Sequence, residues 1–106
     1  MDTKMIDVVA LDEEAHKINL LIIDDLQWLD SKEHIDQIQE KILKYVTYVE
    51  KGEFSSSYPS YEAYEFVIKI VFSYPPTEEG LLYIKEAQAV LGDVGFRLEY
   101  LNYEDL

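Results

Sequence analysis

The sequence predicts an α+β fold: a two-layer sandwich of one four-stranded sheet with two helices on one face. Three observations carry this. Four short runs are of β type, and two longer segments repeat apolar residues at spacings of three and four. Their order, β-β-α-β-α-β, supplies only two helices, enough to cover one face of such a sheet. The whole chain, residues 1–106, reads as a single domain. A chain of that length buries roughly 65% of its unfolded surface and can fold alone.

The first run, Ile6 to Leu11, sets Ile6, Val8 and Ala10 on one face, and the polar link DEEAHK leads to KINLLIID, Lys17 to Asp24. Two strands across so short a link read as a hairpin. The second is apolar on both faces, which suits a central position. From Ser31 to about Lys51 the period turns helical through Ile35, Ile38, Ile42, Tyr45 and Val49, with Val46 widening the stripe. Glu33, Asp36, Gln37, Glu40, Lys41 and Lys44 fall opposite, with Glu40 and Lys44 spaced for a helical ion pair. Gly52 is the expected stop. GEFSSSYPSYEAY then reads as the one substantial loop and the most mobile stretch. Tyr64 to Phe72 alternates cleanly, with Glu65, Val67, Lys69 and Val71 on its second face. Thr77 is the expected N-cap of a second helix running to about Leu91, with Tyr83, Ile84, Ala87, Val90 and Leu91 on one arc. Phe96 to Tyr103 is the last strand. The open sheet face is expected to mix polar residues with Val67, Val71 and Leu101.

Charge narrows the function. Twenty-two acids face nine bases, a formal net charge of −13. Binding nucleic acid requires bases to neutralise phosphates, so a nucleic-acid partner is not expected, and an anionic membrane surface is not either. A basic protein is the partner such a field favours, although solubility alone also accounts for it. Cysteine is absent, which excludes disulfides and thiolate metal sites. The opening MDTKMIDVVALDEE has no apolar core of a signal peptide, and no apolar run approaches the ~20 residues of a membrane span. A cytoplasmic protein is expected.

The stretch IIDDLQWLDSKEH gathers the residues that look most like chemistry. Asp24, Asp25, Asp30 and His34 could ligate a divalent metal near a strand's carboxyl end. The glycine and bidentate glutamate of an EF-hand are missing, and no second histidine stands one helical turn from His34. Asp30 and Glu33 have the spacing of a capping box, with Asp30 accepting from the helix start and Glu33 reaching back. A nucleophile elbow and a phosphate-cradling glycine loop are both absent, so no catalytic or cofactor-binding residue is assigned. Trp28 is either a lid over the first helical turn or a surface anchor. Nine tyrosines are dense for this length, and Tyr58, Tyr61 and Tyr64 recur every third residue. They suit an interface or the core edge where a strand begins.

Asp25, Leu26, Trp28, Glu33 and His34, followed by Ile38, Gln39, Glu40, Lys41, Ile42, Glu50 and Gly52, form a pattern of their own. Together with Ile6-Asp7, Tyr58-Pro59, VIKIVFSYPP and GFRLEY it resembles a family of small bacterial proteins catalogued only as a domain of unknown function. Lys51 stands where that family's pattern has serine. The resemblance implies a bacterial cytoplasmic single domain and brings no activity, cofactor or site residue with it.

The leading expectation is a non-enzymatic protein-interaction module that neutralises a partner, as immunity proteins do. Its expected contacts are Asp24, Asp25, Trp28, Glu33, Asp36, Tyr58 and Tyr61. The alternatives are a metal-binding or enzymatic domain using Asp24, Asp25, Asp30 and His34, and a homodimer formed through the open sheet face or an edge strand.

Overall fold

The computed structural model describes residues 1–61 and 63–105. The strands are β1 (Val8–Asp12), β2 (Lys17–Asp24), β3 (Glu65–Phe72) and β4 (Phe96–Asn102), and they lie in the order β1-β2-β3-β4. The first pair is antiparallel; β2, β3 and β4 are mutually parallel. Parallel neighbours need crossover helices, α1 (Ser31–Glu50) between β2 and β3 and α3 (Glu78–Gly92) between β3 and β4. Successive right-handed crossovers in one direction put both helices on the same face. The predicted two-layer α+β architecture is therefore the observed one, with strand order now added.

The register sorts every strand residue onto one of two faces. Toward the helices point Val9, Leu20, Ile68 and Leu98 in one row and Ile18, Phe66 and Phe96 in the next. Ile18, Leu20, Ile22, Ile68, Ile70 and Phe72 are fully buried, and Ile38, Ile42, Tyr45, Ile84 and Leu91 close over them. The hairpin's first strand divides its residues between the two faces. Val8 and Ala10 lie on the open face, Val9 and Leu11 supply the core, and Ile6 packs on it from outside the strand. The open face carries Val67, Val71 and Leu101, as expected.

Both helix starts are capped as the sequence implies: Glu33 N donates to Asp30 Oδ1 at 3.2 Å and Gly80 N to Thr77 Oγ1 at 3.3 Å. Only the forward half of the capping box forms among the described residues, and Glu33 stays exposed. The Glu40–Lys44 ion pair is likewise absent among them. Gly52 ends α1 with φ +79°, a conformation that favours glycine.

The stretch expected to be a loop is largely helical. A short helix, α2 (Glu53–Ser57), is followed by a 3-10 turn at Pro59–Tyr61. Phe54 anchors it at 1% exposure, with Tyr58 stacked on its ring at 4.9 Å and Tyr48 and Phe66 edge-on. Phenylalanine among serines is a weak periodic signal, so this helix is fixed by tertiary burial rather than by local pattern.

Candidate functional site

The carboxyl end of the parallel strands is where α/β sheets usually place ligands, and the IIDDLQWLDSKEH stretch begins there. Asp24, the last residue of β2, is fully buried. Its Oδ2 lies 2.6 Å from His34 Nε2, and its Oδ1 accepts from Leu26 N at 3.1 Å. His34 occupies the first full turn of α1 and is itself buried. Trp28 stacks on the imidazole with ring centroids 3.7 Å apart and planes 20° from parallel. The indole N–H donates to Tyr74 O at 3.3 Å, and the ring also meets Phe72. Its far edge rests on Gly80 of α3, where a Cβ would lie 2.6 Å from Trp28 Cη2. Ser31 and Thr77 hydroxyls bond each other at 2.9 Å beside this seat. The corner thus ties both β–α linkers and both helix starts together. Trp28 is the lid of the two readings, half-buried and packed on the core.

What this corner can do chemically follows from where its atoms face. A general acid–base pair needs its free nitrogen within reach of a reacting proton. Here Nε2 is held by Asp24, while Nδ1 is buried without a hydrogen-bond partner among the described residues. A shallow depression of about 190 Å³, lined by Leu26, Leu29, Asp30, Glu33, His34 and Gln37, lies outside it. Asp30 is engaged in capping and Asp25 is exposed. Among the described residues, no three His, Asp or Glu side chains are grouped to hold a metal ion.

The expected contacts separate in space. Asp25, Glu33 and Asp36 are exposed acids near or on the start of α1, whereas Asp24 is enclosed and offers nothing to a partner. Tyr58 and Tyr61 are half-buried members of an aromatic chain that continues edge-on to Tyr64, whose ring stacks on His16. Tyr61 Oη donates to Glu13 Oε1 at 2.8 Å, closing the 3-10 turn onto the β1–β2 hairpin. That hydrogen bond to the carboxylate raises the phenol's pKa above its ordinary value. The tyrosines therefore cover the core edge.

Two further places went unread in the sequence. Lys41, assigned to the polar side of α1, is fully buried, with Nζ 2.7 Å from Asp7 Oδ1. A signal existed, because His34, Ile38, Lys41 and Tyr45 repeat at spacings of four, three and four. Tyr45 Oη donates to Leu21 O and accepts from Asp7 N at 2.8 Å. Burial, the largest cause, pushes the Tyr45 phenol far above its usual range.

The second is a groove of about 400 Å³ between α1 and α3. Its floor is Ile42, Val46, Ala87 and Leu91, and its walls are Leu43, Val90 and Val94. Those three wall residues are 63%, 66% and 54% exposed, high values for residues of this type. Val90, expected on the buried arc, sits at its outer edge. The charged groups lining the groove among the described residues, Glu50 and Glu86, are both acids.

A family model described as a family of unknown function (DUF6572) matches residues 1–104. No curated protein and no solved structure matches the chain.

Proposed function

Because the chain belongs to that family of unknown function, it inherits no activity, and we propose from its surface that it is a non-enzymatic protein-interaction module. The observation that carries this reading is the α1–α3 groove, in which Leu43, Val90 and Val94 are more than half exposed above an apolar floor. Exposed apolar walls around a concave floor suit an anchoring side chain from another protein. Glu50 and Glu86 on the rim, within a chain of net charge −13, select a basic partner and steer its approach. The fitting occupant is an amphipathic helix with apolar anchors and basic flanks. Neutralisation follows naturally from such a complex: the acidic module masks the basic working surface of its partner.

The test is a quantitative pull-down from the native host with wild type and the Leu43→Asp/Val90→Asp double variant. A stoichiometric basic protein held by wild type and lost by the variant is expected. No stoichiometric partner, or one retained equally by both, overturns the reading. Leu43 and Val90 are exposed, so the double variant keeps its core.

A further inference from the structure

We infer that the open face of the sheet is a self-association surface, occupied by the same face of a second copy of this chain. This stands apart from the groove, which lies on the opposite, helical side.

The register grades the open face from an apolar row at one end, through a mixed row, to ionic rows at the other. At the carboxyl end of β2, β3 and β4, Ile23, Val71 and Leu101 form one cross-strand row, and Val8 and Leu21 adjoin it in the next. Ile23 and Val8 are 42% and 43% exposed. That second row continues across β3 and β4 as Lys69 and Glu99, and from there toward the amino end the face becomes ionic. Arg97 lies 3.8 Å from Glu65 and 3.7 Å from Glu99, and Lys69 lies 3.7 Å from Glu99. Val67 is 1% exposed yet lies outside the helix-side core, beneath these side chains.

Charge selects the occupant. Lys17, Lys69 and Arg97 share this face with Asp12, Glu65 and Glu99, so the face is neutral. All of the net −13 lies elsewhere. A basic partner would meet three cations here, and an anionic one three carboxylates. A second copy meets neither penalty. Pairing like end with like end lays apolar row on apolar row, and it offers each cation the carboxylates of the other copy. The rest of the surface carries the whole net charge, so contact between two copies there is opposed by like charge.

Area sets the strength. Four strands about 4.8 Å apart, each rising about 3.3 Å per residue over some eight residues, give roughly 500 Å² per copy. Two copies bury roughly 1,000 Å², the lower bound for a specific interface. The dimer is accordingly weak and concentration-dependent. Salt strengthens it, because screening relieves repulsion between the two net charges; the same salt weakens capture of a basic partner in the groove.

Sedimentation equilibrium from low micromolar to millimolar protein tests this. Wild type is expected to rise toward twice the monomer mass, further at high salt. Val71→Asp, and separately Arg97→Glu, should weaken association by about tenfold or more, an order of 1.4 kcal/mol. Arg97 is half-exposed, so its replacement leaves the core intact, and the groove variant Leu43→Asp should dimerise like wild type. A monomer at millimolar concentration in high salt overturns the proposal. So does undiminished association of both sheet variants, or loss of the dimer in Leu43→Asp.

Discussion

Lys41 and Asp7, thirty-four residues apart in the chain, meet at 2.7 Å with the ammonium fully buried. The pair extends the sheet by other means. β1 begins at Val8, opposite Leu21, and beyond that point β2 has no strand on this edge. Asp7 Oδ2 takes its place by accepting from Ile23 N at 2.9 Å. Lys41 thereby holds the carboxylate that completes the ladder.

Lys41→Met is expected to destabilise the fold by about 2–4 kcal/mol, because it leaves the half-buried Asp7 carboxylate without its counter-ion. Asp7→Asn in the same background should recover part of the loss. Urea unfolding of the two singles and the double measures the coupling. Additive effects would show that the pair is not coupled.

Gly80→Ala is expected to destabilise by about 1–3 kcal/mol, although alanine is the better helix former by about 1 kcal/mol. The new Cβ would fall 2.6 Å from Trp28 Cη2, so the indole must leave its seat. Trp28 is the sole tryptophan, and its emission should shift to the red. Gly92→Ala, which meets nothing within 4 Å, is the control and should be neutral or slightly stabilising.

Alkaline stability should follow Tyr45. Its phenol is raised in the folded state, chiefly by burial, so the native protein holds that proton more tightly than the unfolded chain. The contribution is present in full below the ordinary tyrosine pKa of about 10 and is lost as pH rises above it. Thermal unfolding from pH 8 to 11 is expected to show stability falling above about pH 10. Tyr45→Phe should flatten that fall, while costing about 1–2 kcal/mol at neutral pH through lost hydrogen bonds. An identical slope in the variant would rule Tyr45 out as its source.

Asp24→Ala is expected to cost about 2–3 kcal/mol, since it orphans the buried His34 Nε2 and Leu26 N. Because Asp24 and His34 are bound to each other, added zinc or magnesium should leave the melting temperature of wild type unchanged. A rise of several degrees on adding either metal would show that this corner is a metal site.

The sequence by itself determined the order along the chain of the four strands and the two long helices, the helix caps at Asp30 and Thr77, the central place of β2 and the core faces of β3 and β4. Each depends on short-range periodicity or on a side chain reaching its own neighbours. It also carried the family pattern from Asp25 through Gly52. Only the tertiary structure decided the rest. Strand order rests on which edges meet. The helix at Glu53–Ser57 is anchored because Phe54 is buried among the rings of Tyr48, Tyr58 and Phe66. Asp24 and His34 look like ligands in the sequence because carboxylates and imidazoles serve both purposes; only the structure shows that they are buried and bonded to each other at 2.6 Å. Lys41 looks like a solvated charge until Asp7 arrives from the other end of the chain. The groove at Leu43, Val90 and Val94 is a property of two helices together, and no single helix's periodicity can show a space that lies between them.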